Sequence, residues 1–281
     1  VDSETRWGGS LPPVLSQGNS RKSEKAMCSE QVRTSKFAVF GQLLVLCLGL
    51  MSCGYHFWVG DLTPVDGEEQ SPGITVSDDG TVTFVKERLE LAVRPLTVEE
   101  LNRQLPGRSV GGIESTNPYT YGDWKDPKTG QIPERFTVFL LKVKNYSYPK
   151  VQVDPMMVSL TTDVGMTYLP LGKLDLETFY RPYITGYAGV PFLRFKERES
   201  VARATLYPPD MVFSGQEKEG YLVFPSLHHQ VRTVQLNLSD VVLRFDFRDE
   251  PLETIDVEYG FHREIGRLYR DGRLVMNGQP N

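Results

Sequence analysis

Cysteine is almost absent from this chain. All three, Cys28, Cys47 and Cys53, fall near its front, and none follows Cys53. A stapled disulfide domain is therefore excluded, and a fold beyond Cys53 has to rest on a hydrophobic core. Nor is there a Cys-x-x-Cys pair, a Gly-x-Ser-x-Gly elbow or a phosphate-cradling glycine loop, so no common catalytic signature offers itself. With only four histidines, and His228-His229 adjacent between two β-prone runs, a metal centre has few ligands to draw on. Basic excess is missing too: 36 Asp+Glu face 31 Lys+Arg, a net charge of −5. That balance argues against nucleic acid as a partner. We expect no cofactor and no metal.

One long apolar run is present. Phe37 to Leu50 carries no charge, follows Arg33 and Lys36, and leads into Leu50-Met51-Ser52-Cys53-Gly54. A basic stretch, a short apolar stretch and small residues before a cut make an export signal. The order Leu-Met-Ser-Cys resembles the lipobox of bacterial lipoproteins, in which the cysteine becomes the acylated first residue. That resemblance implies palmitate-type lipidation of Cys53, membrane anchoring in the cell envelope, and, with glycine following the cysteine, the outer membrane, facing periplasm or surface. A competing reading extends the uncharged run to Val59, long enough for a spanning helix of about 20 residues, with Tyr55 and Trp58 as an aromatic belt. Cys53-Gly54-Tyr55-His56 is also similar to the mature start of lipopolysaccharide-assembly lipoproteins, a likeness that ends there.

The expected organisation follows. Residues 1–26 are polar and read as untranslated or disordered, with Met27 as initiator; 27–52 are the signal peptide; 53–73 hold the acylated cysteine and a flexible Gly/Pro/acidic tether. Residues 74–262 are the folded domain, and 263–281 a tail.

Within 74–262 the pattern is mostly strand. Asp79-Gly80 marks a tight hairpin turn. Leu89, Leu91 and Val93 alternate with charged residues, and Thr97-Val98-Glu99-Glu100 is a capping box opening a helix to about Gln104. A long loop, 108–133, precedes the strand expected from Glu134 to Asn145, whose centre, Thr137 to Leu141, is apolar on both faces. Further strands are expected at 152–161, 221–224 and 233–238, and a closing hairpin pairs Val241, Leu243, Phe245 and Phe247 with Ile255, Val257, Tyr259 and Phe261 around Asp249-Glu250-Pro251. Residues 175–203 contain Pro182, Gly186, Gly189 and Pro191, which predict an irregular insertion with about one helical turn. The fold class expected is all-β, an antiparallel sandwich. Its strand rhythm and closing hairpin resemble the immunoglobulin-like ectodomains of bacterial envelope proteins.

Two aromatic groups are candidates for binding. Tyr119, Tyr121 and Trp124 on the long loop either stack a sugar or fold back over the core. Tyr180, Arg181, Tyr183 and Tyr187, in the insertion, either form a partner contact or a satellite core. Asp123 and Asp126 lack the alternating oxygens and terminal glutamate of a calcium loop and read as a polar turn. The expectation is a non-enzymatic lipoprotein that binds or scaffolds an envelope protein. The alternatives are a carbohydrate- or cell-wall-binding module and an outer-membrane assembly lipoprotein.

Overall fold

The computed structural model describes residues 54–276. Cys53, the signal segment and residues 1–26 lie outside the described residues. Among the described residues no helix is long and apolar enough to cross a membrane.

The first strands in chain order are β1 Tyr55–Val59, β2 Thr63–Pro64, β3 Ile74–Val76, β4 Val82–Lys86, β5 Leu89–Leu96, β6 Phe136–Asn145 and β7 Lys150–Val151. Then come β8 Val158–Thr162, β9 Thr167–Tyr168, β10 Val212–Phe213, β11 Gln216–Pro225, β12 Thr233–Phe245, β13 Pro251–His262, β14 Ile265–Tyr269 and β15 Leu274–Met276. The helices are α1 Val98–Gln104, α2 Lys173–Tyr180 and α3 Val190–Thr205. Two five-stranded antiparallel sheets, β11-β6-β5-β4-β3 and β2-β13-β12-β8-β9, pack as a sandwich. The all-β sandwich expected from the pattern is present.

Alternation explains the core. Leu89, Leu91 and Val93 of β5, with Phe139, Leu141 and Val143 of β6, meet Leu236, Leu238, Val257, Tyr259 and Phe261 of the opposite sheet. Tyr259 carries the only hydroxyl among these residues, and it donates across the sandwich to the Leu91 carbonyl at 2.9 Å. The Asp79-Gly80 turn joins β3 to β4, with Gly80 at φ 79°. Thr97 and Glu100 cap α1 reciprocally, as the sequence predicts.

The last hairpin holds one device that alternation alone did not reveal. Inward residues step from Leu238 to Val241, an odd interval, so one residue must be absorbed to keep both on the core face. Asp240, at φ 54°, is the extra residue of a bulge, and its N–H donates to Asp256 Oδ1 at 2.9 Å. The expected strands at 233–238 and 241–247 are thus one strand. It ends at Phe245, and Phe247 sits in the turn, 89% exposed.

Four expectations need correction. The strand expected at 152–161 is interrupted by a 3-10 turn, Pro155–Met157, because Pro155 has no N–H for a ladder. Residues 175–203 do not form one helical turn: α2 and the 16-residue α3 occupy most of that span. The breakers all lie before Phe192, and Pro191 sits in the first turn of α3, where the missing N–H has no intrahelical acceptor to lose. The stretch read as a tether is paired. Thr63 and Pro64 join the edge of β13, and Gln70 both donates to the Gly260 carbonyl (2.8 Å) and accepts from its N–H (2.9 Å), standing in for a strand. The stretch read as a tail is paired as well, since β14 lies between β1 and β15. Residues 55–59 are therefore extended, against a spanning helix that continues to Val59.

Sheet one also buries its outer face. Leu96, Phe136, Val138 and Val223 pack there against Leu101, Tyr119, Leu176, Tyr180, Phe195 and Val201, so α1, the long loop, α2 and α3 form a third layer. Gly220 lies where this layer returns to the sheet: a Cβ added there would sit 2.4 Å from the Tyr207 Cα. Gly220→Ala should cost about 2–3 kcal/mol in chemical denaturation, as overpacking against backbone does. Gly67→Ala, with open space around it, should be within about 0.5 kcal/mol of wild type.

Candidate functional site

The long loop is built on buried polar groups. Asn117, fully buried, donates to the Leu101 carbonyl and Ser109 Oγ and accepts from the Tyr119 N–H. Thr120 donates to Asn102 Oδ1 at 2.6 Å, and Asn102 in turn holds the Gly122 carbonyl. Asp123 accepts from the N–H groups of Gly111 and Gly112, and Asp126 from that of Lys128. Both carboxylates are thus engaged with backbone, as a polar turn requires. No metal-ligand group exists among the described residues.

An arginine–tyrosine stack ties this loop to the insertion. Arg135 lies 4.0 Å over the Tyr121 ring and donates to the Tyr180 hydroxyl (3.0 Å), which donates to the Pro118 carbonyl (2.5 Å). From α3, Arg198 stands 4.7 Å from the Tyr180 ring and donates to the carbonyls of Ser115 and Ile113. Both arginines are buried, and no carboxylate pairs with either among the described residues. Ring faces and carbonyl dipoles carry their charge, each cation–π contact contributing about 0.5–2 kcal/mol. Burial lowers the Arg198 pKa and raises that of Tyr180.

The sequence candidates therefore divide. Tyr119 is fully buried and hydrogen-bonds Thr205 at 2.6 Å, and Tyr180 is buried in the stack, so neither can meet a ligand, contrary to their selection as binding residues. Tyr121 is covered by Arg135, and Trp124 keeps 37% exposure with its edge toward Tyr121. Three aromatics do not form a sugar platform here; the loop has folded back over the core. Arg181, Tyr183 and Tyr187 are exposed, the two tyrosines by 50% and 82%. Tyr183 contacts Phe179 and Tyr180, while Tyr187 contacts Phe192. The insertion is thus a satellite core on its inner face, and its outer face leaves apolar and aromatic side chains exposed.

A cleft of about 730 Å³ opens at another part of the domain, between β1, the start of α1, residues 125–134 and the β11–β12 loop. Glu134 and Arg263 line it, 3.7 Å apart. Burial raises the Glu134 pKa, opposed by the Thr137 hydroxyl and Arg263; burial, then Glu99 and Glu100, raise that of Asp61. His229, stacked on Phe57 at 3.7 Å, is lowered by burial, His228 and Arg263. No linear motif signals this cleft, because its walls lie up to two hundred residues apart.

Compared with known proteins, the chain matches no family model, no curated protein and no solved structure.

Tyr180→Phe should destabilise the domain by about 1–3 kcal/mol, since it strands the Pro118 carbonyl and an Arg135 donor in the core. Tyr183→Ser, on the exposed face, should stay within about 0.5 kcal/mol. A folded-state pKa raised above the unfolded value means that protons favour the folded state. The Glu134 contribution is therefore most favourable below the ordinary carboxylate range and is lost as pH rises through its raised pKa. Glu134→Gln should match wild type in thermal midpoint near about pH 4 and exceed it increasingly toward about pH 7.

Proposed function

We propose that this protein is a non-enzymatic lipoprotein, acylated at Cys53, whose sandwich is held at a membrane of the cell envelope and binds or scaffolds another envelope protein through its helical insertion. The observation that carries this reading is the outer face of the insertion. Leu174, Tyr183, Val190 and Leu193 are exposed on elements whose inner side chains are locked into the second core, and Tyr187 is exposed on the loop that joins them. Large apolar and aromatic side chains on a rigid mount fit the centre of a protein interface, where such groups carry most of the binding energy.

Connectivity supports the immunoglobulin-like reading. Strands β5-β6-β11 face β8-β12-β13, and the chain visits them in the order that immunoglobulin sandwiches use for A, B and E opposite C, F and G. In this reading the insertion with α2 and α3 stands where strand D would run. The lipobox supports the address. Tyr55 opens β1, so only Gly54 lies between Cys53 and the first strand, about 7 Å of extended chain. The domain then has no long tether and works within one molecular diameter of its membrane.

Labelled palmitate should enter the wild-type chain and not Cys53→Ala, which should also leave the membrane fraction. Equal labelling of both would remove the anchor. With the full chain purified from detergent-solubilised membranes, Tyr183→Ser/Tyr187→Ser should keep the wild-type thermal midpoint and lose the co-purifying protein. Unchanged recovery would mean that the insertion is not the contact surface.

A further inference from the structure

The cleft between β1 and the 125–134 loop is separate from the apolar face of the insertion, and its walls are chemically specific. Its volume, about 730 Å³, lies within the range of small-ligand sites. Four carboxylates line it, Asp61, Glu99, Asp126 and Glu134, against two cations, Lys125 and Arg263. His229 adds no charge near neutrality, since its pKa is lowered. Phe57 and Trp58 complete one wall, with Phe57 46% exposed.

Two acceptors in this cleft are incomplete. Glu134 Oε1 accepts from the Thr137 hydroxyl at 2.8 Å, but Oε2 has only Arg263 Nη1, at 3.7 Å, beyond hydrogen-bonding range. Arg263 is held at that distance: Nε donates to the Val231 carbonyl at 2.9 Å, and Nη2 to that of His228 at 2.7 Å. The Asp61 carboxylate makes no hydrogen bond or ion pair among the described residues. A partly buried carboxylate oxygen without a hydrogen bond, with a second, exposed carboxylate on the same cleft, suits a donor that also brings positive charge. Aromatic neighbours suit the same group, because a ring face attracts a cation and an apolar stem packs beside it.

We propose that this cleft binds an organic cation, an ammonium or guanidinium group on an apolar stem, with Glu134 Oε2 as its principal acceptor and Asp61 as the second. The shared chemistry admits two sources, a free polyamine or a lysine or arginine side chain of a protein partner. Neither depends on the lipid anchor or on the insertion. Binding is coupled to protonation: the cation competes with a proton for Glu134, so uptake strengthens as pH rises through the raised Glu134 pKa.

The test is calorimetric titration of the full chain in neutral detergent with spermidine, N-acetyl-lysine amide and the uncharged N-acetyl-norleucine amide. We expect saturable one-to-one uptake of at least one amine and none of the norleucine probe. Glu134→Gln, which keeps the Thr137 hydrogen bond, should bind about tenfold more weakly at about pH 7 and lose the pH dependence that wild type shows. Spermidine binding alone assigns a free amine, and lysine-amide binding assigns a protein side chain. Equal binding of amine and norleucine probes, no binding of either amine, or wild-type affinity in a folded Glu134→Gln would each overturn the site.

Discussion

The first half of strand β6, Phe136 to Phe139, is buried on both faces, and most of the architecture answers to that constraint. Phe139, Leu141 and Val143 point into the sandwich, while Phe136 and Val138 point the other way. Each such side chain contributes about 1.5–3 kcal/mol when removed from water, so neither face can be left wet. The second sheet covers one face. On the other, α1, the long loop, α2 and α3 supply the cover, which is why a chain that reads as a plain sandwich carries about eighty residues of non-strand cover over β5, β6 and β11. Gly220, where the layer closes onto β11, marks how tightly it is fitted.

Loops this long do not cover a sheet unless their own polar backbone is satisfied. Here the task falls to Asn117, Thr120 and Asp123 within the loop, and to Arg135 and Arg198 between the loop and the helices. Using arginine without a carboxylate is costly in a dry interior. Arg198 offsets it with the Tyr180 ring and the carbonyls of Ser115 and Ile113, while Arg135 rests on the Tyr121 ring and the Tyr180 hydroxyl with its Nε left without an acceptor. The result is an insertion held by packing and hydrogen bonds on its inner side, with Tyr183 and Tyr187 left exposed on its outer side.

Much of this was legible along the chain. The capping box of Thr97 and Glu100, the Asp79-Gly80 turn and the alternating core of the last hairpin are local signals, each a matter of a few neighbouring residues, and all appear in the fold. Residues 60–73 read as a tether and those beyond 262 as a tail, and the fold pairs both. Glycine, proline and acidic residues describe how freely a segment moves when alone, and say nothing about a strand edge waiting for it from two hundred residues away, such as the one Gln70 completes on β13. The helices of the insertion were missed because breakers were weighed by number and not by position; Pro191 in a first turn is compatible with the helix that follows it.

The candidate residues tell the same story at the level of single side chains. That 108–133 and 175–203 carry aromatic and arginine groups is written in the order of amino acids, as is the thiol at Cys53 and the absence of any other thiol beyond it. Which of those groups face inward is not. Tyr180 and Tyr183 are three positions apart in one short segment, yet one is core and the other surface, since exposure depends on what the helices pack against. The cleft of Asp61, Glu134 and Arg263 is further still from the linear text: three unremarkable residues acquire shared chemistry because the ends of β1, β6 and β13 converge, and convergence is a property of packing.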